Sequence, residues 1–418
     1  MPALRPTDGP PIGYPTMTDT PTGLQAYRGP LAHRVDRRRR RWLRWFWLLL
    51  IIAVIAALLA WGISQVVRSR NTANRVHSPP IEFGIYPGGP VGTTGITDSP
   101  KAEIPATRLA ALQALRASTP AGAPRPFVVR LYEAFTGQPS VDSWTGTGTN
   151  ATTDAQITSY SENGFDIDLV VRYEPVNGLG PSTVPDYLNF VRSLVQRYGP
   201  NSNVKYLQIT NEVNETSSPG SSDGYYPNAE QALVYGVEAA YQESTLDGHP
   251  QVQVGFNWAY DTGGGTDPSL WAFIHSQGLV FQKSVTWVGL DDYPGTFTDL
   301  TTTPMRTGPV LVQGVQALRS LMDQAGLSPQ VSIHISETGW PTGPKRTRAQ
   351  QVVALSSMVN SVSAVRAQYL ITDFEWFDLR DSNSSIPNKQ EQYGLMTDNY
   401  HRKPAYSTYK QAVTDLGP

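Results

Sequence analysis

Acidic and aromatic side chains crowd the ends of a series of short apolar runs in this chain. One run closes with Arg130-Leu131-Tyr132-Glu133 and another with Arg172-Tyr173-Glu174. Others close with Asn211-Glu212, Trp258-Ala259-Tyr260, Asp292-Tyr293, Ser336-Glu337 followed by Trp340, and Glu375-Trp376 followed by Asp378. Carboxylates walled by flat rings, with no phosphate loop and no metal-ligand spacing, are the equipment of glycoside hydrolysis. That reaction needs two carboxyl groups flanking an oxocarbenium-like transition state. One must hold a proton for the leaving oxygen and the other must be the anion that attacks the anomeric carbon. Their surroundings must therefore separate their pKa values. A Glu at a strand end can equally be a rim ion-pair partner, so composition alone does not choose among the candidates.

The elements that would position these groups follow from hydrophobic patterning. Apolar, β-branched runs predict strands over 81–86, 127–132, 166–172, 204–210, 252–258, 286–290, 332–336 and 369–374. Helical segments are predicted over 107–118, 153–162, 184–198, 229–246, 268–277, 310–325, 348–366 and 403–413. Strands alternating with helices in this number predict an α/β fold, a (β/α)8 TIM barrel over 80–418, with a doubly wound sheet as the rival. A TIM barrel carries its active site at the C-terminal ends of its strands, where the carboxylates and aromatics fall.

Outside the barrel, residues 1–41 form a Pro- and Gly-rich, Arg-ended segment predicted to be a disordered cytoplasmic tail. Residues 42–67 are predicted to be a transmembrane signal-anchor helix and 68–79 a linker. The uncharged stretch 45–67 is about 34 Å long as a helix, enough to cross a bilayer. Seven Arg between 34 and 44 precede it and Arg68, Arg70 and Arg75 follow, which places the N-terminus in the cytoplasm and the barrel outside. A cleaved signal peptide is the rival, though its apolar region should be shorter.

Composition excludes several classes. With Cys 0, disulfides and Cys-ligated metals are ruled out. A disulfide-free domain of this size outside a membrane suits a bacterial surface protein held by its core. None of the His residues has the HExxH spacing, so no metal or other cofactor is expected. Net charge is −2, which argues against nucleic acid as a partner. The Gly-rich segment 261–267 lacks the Lys of a phosphate loop and the terminal Glu of a calcium loop. A lid or plain loop is expected there.

Two of the strand ends also carry a family likeness. Thr210-Asn211-Glu212 resembles the Asn-Glu pair of clan A glycoside hydrolases, and Ser336-Glu337-Thr338-Gly339-Trp340-Pro341 resembles the nucleophile motif of the plant- and fungal-type β-1,3-glucanase family. Gly394-Leu395 and Lys403-Pro404-Ala405 resemble the closing segment of such barrels. The resemblance implies a retaining enzyme with Glu212 as acid/base and Glu337 as nucleophile. It further implies that Asn211 meets the sugar 2-hydroxyl, Arg130 keeps the nucleophile charged, Tyr293 hydrogen-bonds Glu337 and Trp376 forms the floor under the scissile sugar. Arg130 has an alternative in pairing with Glu133 or Glu174. Trp258, Tyr260 and Trp340 are candidate subsite walls, and Asp292 and Asp378 candidate hydroxyl ligands. The expected substrate is a β-linked glycan, β-glucan first, cleaved or transglycosylated. A non-catalytic carbohydrate-binding protein on the same scaffold is the alternative reading. A lyase or aldolase would want a metal cluster or a barrel lysine, and Lys205 begins its strand at the wrong end.

Overall fold

A computed structural model describes residues 80–88, 101–138, 149–176, 180, 183–217, 220–260 and 268–418. The tail, anchor and linker expected over 1–79, and the Gly-rich loop 261–267, lie outside the described residues. Among the described residues no helix is long and apolar enough to cross a membrane.

Eight strands close into one ring in chain order, every neighbour pair parallel. They are β1 (Glu82–Ile85), β2 (Val128–Phe135), β3 (Asp166–Tyr173), β4 (Val204–Ile209), β5 (Gln253–Ala259), β6 (Trp287–Asp291), β7 (Ser332–Thr338) and β8 (Ile371–Trp376). The helices are α1 (Pro105–Leu115), α2 (Thr149–Glu162), α3 (Thr183–Tyr198), α4 (Ala229–Leu246), α5 (Pro268–Ser276), α6 (Gly278–Ser284), α7 (Thr307–Gln324), α8 (Arg348–Tyr369) and α9 (Pro404–Leu416). This is the (β/α)8 barrel, and closure of β8 on β1 rules out the doubly wound rival.

Each strand and helix predicted for the barrel is present, and the shifts have local causes. The single helix expected over 268–277 is followed by a second, α6. Gly278 adopts φ 68°, a left-handed turn that ends α5 and lets the chain restart. The eighth strand starts at Ile371 rather than 369, because α8 runs on to Tyr369 and Leu370 caps it at φ 53°. That helix begins with a capping box, Thr347 Oγ1 accepting from Gln350 N at 3.1 Å while Gln350 Oε1 accepts from Thr347 N at 2.8 Å. α3 buries Tyr187, Phe190, Val191, Leu194, Val195 and Tyr198 at helical spacing against the barrel.

Alternation along the strands decides which side chains enter the barrel. On β8, Phe374 lies outward against Tyr409 of α9, while Asp373 and Glu375 point in. The interior is unusually polar. At its floor Glu82 accepts from Lys205 Nζ at 2.6 Å and Tyr206 Oη at 2.7 Å, and Trp287 stacks on His334 at 4.4 Å. Lys205 thus sits at the N-terminal end, away from the mouth. Burial holds His334 down at a pKa of about 3, so it stays neutral.

Candidate active site

β4 delivers its functional pair through strained backbone. Thr210 takes φ 62° and Glu212 φ 48°, left-handed conformations that β-branched and bulky residues rarely adopt. Neighbouring polar groups hold the bend. Asp223 accepts from Asn211 N and Tyr173 N, each at 2.8 Å, and from Arg172 Nε at 2.7 Å. Asn257 Oδ1 accepts from Glu212 N at 2.8 Å. Gly224 follows because any Cβ there would lie 2.2 Å from the Val213 carbonyl oxygen. The Glu212 side chain, half-buried, accepts from Ser222 Oγ at 2.7 Å. Burial first, and then the nearby Glu337 charge, push its pKa up to about 8. At neutral pH Glu212 therefore carries a proton.

β7 delivers Glu337 by a different device. The pairing register with β6 shifts between Gly289 and Asp291, and that with β8 shifts between Ile335 and Thr338. The irregularity lets two successive residues face the barrel: Ser336 donates to Asp291 Oδ1 at 2.6 Å, and Glu337 meets Arg130. Three donors converge on Glu337. Tyr132 Oη and Arg130 Nη2 (3.2 Å) donate to Oε1, and Tyr293 Oη donates to Oε2 at 2.7 Å. This cradle complements a negative charge on both oxygens. Arg130 is itself fixed by Asp168 at 2.5 Å, Gln208 Oε1 at 2.9 Å and Tyr132 at 2.9 Å. It pairs with Asp168 and Glu337 rather than Glu133 or Glu174, and Glu174 instead meets Arg172 at 2.6 Å.

One carboxylate oxygen from each of Glu212, Asp291 and Glu337 lies within 4.8 Å of the others. Asp291 is the acidic residue that the sequence did not single out. Its Oδ2 accepts from Asn257 Nδ2, which also donates to Asn211 Oδ1 at 2.9 Å. Burial, then Glu337 and Glu212, raise its pKa well above the carboxylate range. The trio has the geometry of a cation site, but Ser222, Ser336, Asn257, Arg130 and the two tyrosines already donate to these carboxylates. Asn211 sits beside them, its Nδ2 donating to Ser221 O at 2.9 Å with one hydrogen left for a ligand.

The expected aromatic walls lie elsewhere. Trp376 is fully buried and faces α9, 6.4 Å from the Tyr409 ring, so it cannot be the sugar floor. Trp258 also points outward, against Trp271 and Tyr260. Trp340 is buried beneath the Arg346 guanidinium, 4.1 Å over its ring. Asp292 turns toward α7, where a Cβ at Gly314 would come 3.0 Å from its Oδ2, and Tyr260 lies against the same glycine. Asp378 is buried near Asp381 and Lys403. A ring that does face the mouth is half-buried Phe377. It stacks on Tyr86 at 5.4 Å and lies 6.2 Å from Tyr293. Tyr86 in turn meets Tyr132 edge-on at 5.3 Å. Period-two alternation was the available signal: counting inward from Glu375 selects Phe377 over Trp376, and counting from Gly255 selects Asn257 over Trp258.

The closing segment resembling other barrels works mechanically. Buried Lys403 donates to Asp381 Oδ1 at 2.6 Å and Thr342 Oγ1 at 2.9 Å, tying the loops after β7 and β8 together.

No protein-family model matches the sequence, and no curated protein sequence is similar to it. Solved structures are similar in fold. A family 39 glycoside hydrolase from the gut symbiont Bacteroides cellulosilyticus superposes with a TM-score of 0.56 at 15% identity, covering 81% of this chain and 64% of that one. An endo-1,4-β-xylanase from Penicillium canescens gives 0.51 at 14% identity, covering 80% and 95%. A family 17 β-1,3-glucanosyltransferase from Rhizomucor miehei gives 0.48 at 13% identity, covering 78% and 96%. Some of these proteins are longer: the chain spans 64% of the first and 51% of a β-glucuronidase from Dictyoglomus thermophilum. At such identities the likeness to the family 39 enzyme and the xylanase establishes a shared barrel fold.

Proposed function

We propose that this chain is a retaining glycoside hydrolase that cleaves, or transglycosylates, β-linked glycans by double displacement. One observation carries the reading: oxygens of Glu212 and Glu337 lie within 4.8 Å, the first on a protonated carboxyl and the second in a cradle of three donors. So close an approach favours the roughly 5–5.5 Å carboxyl spacing of retaining enzymes over the wider spacing of inverting ones. Glu337 attacks the anomeric carbon as Glu212 passes its proton to the departing glycosidic oxygen, giving a glycosyl ester on Glu337. Esterification removes the negative charge on Glu337. Glu212, now deprotonated and freed of that repulsion, takes a proton from water or from an acceptor sugar, which displaces Glu337. Asn211, in this scheme, meets the 2-hydroxyl of the sugar undergoing reaction, and Phe377 provides the apolar face beneath it.

β-Glucan is the first substrate to try, on the strength of the Ser336–Pro341 motif. The Arg-flanked apolar stretch 45–67 supports a membrane anchor, with the N-terminus cytoplasmic and the barrel outside the cell membrane. Envelope or exported polysaccharide would then lie within reach. Protection of the barrel from protease added to intact cells would refute that orientation.

The test is product release from a panel of β-glycans by the parent, Glu212→Gln and Glu337→Gln, with the product anomer read by NMR before mutarotation. Release by the parent alone, with retained configuration, is expected. Inverted product, or activity persisting in both variants, rejects the mechanism. Sugar binding without turnover across the panel would favour the non-catalytic carbohydrate-binding alternative.

A further inference from the structure

Several of the barrel's buried cations meet carboxylates: Arg130 meets Asp168, Arg172 meets Asp223, Arg380 meets Glu103 and Lys403 meets Asp381. Two half-buried cations at the mouth do not. Arg346 lies over Trp340 and donates to Thr296 Oγ1 at 2.8 Å and to the Gly295 carbonyl. Lys389 donates to the Thr296 carbonyl at 3.3 Å and stands 6.0 Å from the Phe297 ring centre. Neither forms an ion pair with an acidic side chain among the described residues. The primary structure reinforces the imbalance: no acidic residue occurs between Glu337 and Asp373, whereas Lys345, Arg346, Arg348 and Arg366 do.

Their place matters as much as their charge. Phe297 is 55% exposed, so its face is available to a ligand. Its ring lies 5.5 Å from that of Tyr293, whose hydroxyl touches Glu337 at 2.7 Å. An open aromatic face flanked by cations therefore lies one side chain away from Glu337. Burial lowers the pKa of Lys389, and the neighbouring Arg346 charge lowers it further. Holding like charges together with no counter-ion is unfavourable, and an incoming anion relieves that cost through charge-assisted hydrogen bonds. The planar fork of Arg346 suits a carboxylate, sulfate or phosphate.

We propose that the mouth binds an anionic glycan, a sugar next to the one at scission stacking on Phe297 while its acidic substituent docks on Lys389 and Arg346. This rests on the glycoside hydrolase reading of the site and narrows its substrate class from neutral β-glucan to acidic β-glycans.

The test uses the full chain in detergent with matched β-linked oligosaccharides, one neutral, one carboxylated at C6 and one sulfated. Calorimetry measures binding to Glu337→Gln, and turnover is followed with the parent. The carboxylated ligand should bind about tenfold more tightly than the neutral one, the preference shrinking as salt is raised. Adding Lys389→Gln should collapse the ratio toward unity, and Lys389→Arg should restore it. A ratio near unity at the outset, or one insensitive to Lys389→Gln, overturns the proposal, as does failure of the carboxylated and sulfated ligands to bind. Preference for the sulfated ligand assigns a sulfate or phosphate ester in place of a uronic acid. Turnover persisting in Glu337→Gln would reject the catalytic assignment, while the affinity ratio would still decide the anion site.

Discussion

Replacing Glu337 by Gln should lower the pKa of Glu212, and by an amount that can be worked out. Glu212 stands at about 8, raised first by burial and second by the Glu337 charge. Oxygens of the two groups lie within 4.8 Å. Unit charges at that distance interact by about 3.5 kcal/mol at an effective dielectric of 20, equivalent to about 2.5 pKa units. Each charge is shared with a second, more distant oxygen, and Arg130 offsets part of the field. A fall of roughly one to two units is therefore expected, leaving Glu212 between about 6 and 7 because burial persists in the variant. The assay is carbon-13 NMR of protein labelled at the Glu side-chain carboxyl carbon, in which Asp291 is silent and a Glu212→Gln control assigns the signal. A midpoint unchanged between parent and Glu337→Gln would refute electrostatic coupling of the pair. A parent midpoint near 4.5 would refute the burial argument as well. Coupling of this kind is what allows one residue to serve as acid and then as base.

Two further substitutions test the packing. Trp376→Ala should cost on the order of 3–5 kcal/mol in urea unfolding, as the loss of a buried core ring does, whereas Phe377→Ala should mainly lower kcat/KM, about tenfold, with little change in stability; the reverse pattern would restore Trp376 to the sugar floor. Burial pushes the pKa of Asp292 up to about 7, with a hydrogen bond from Thr298 acting in the opposite direction. Its folded pKa exceeds the unfolded value of 3.8, so the contribution of this one group favours the native state most below pH ~4 and is lost as pH rises through about 7. Asp292→Asn should therefore be near-neutral at pH ~4 and stabilising at pH ~8, with a ceiling on the order of 4 kcal/mol, in thermal melts at the two pH values. Equal effects at both would contradict it.

Much of the fold was legible because hydrophobic period and length speak directly for strands and helices. Boundaries slipped where single residues overrode the pattern, as at Gly278 and Leu370, whose left-handed geometry leaves no apolar signature. Glu212, Glu337, Arg130, Asn211 and Tyr293 come together at the mouth as their spacing and family likeness implied. The tryptophans did not. Trp376 and Trp258 occupy outward positions where large apolar rings fill the layer between strand and helix. Asp291 and Ser336 keep the inward parity of Trp287 and His334, so alternation points to both. The residue that breaks alternation is Glu337, which the shifted β6–β7 register turns into the barrel beside Ser336.

The assignment of Glu337 as nucleophile is tested most directly by trapping. The chain would be incubated with an activated 2-deoxy-2-fluoro β-glycoside, acidic and neutral forms in parallel, and the protein then digested and its peptides weighed. The account predicts one glycosyl group per chain, attached to Glu337, and none on Glu337→Gln. A label on Glu212 or Asp291, or labelling that survives Glu337→Gln, would contradict it.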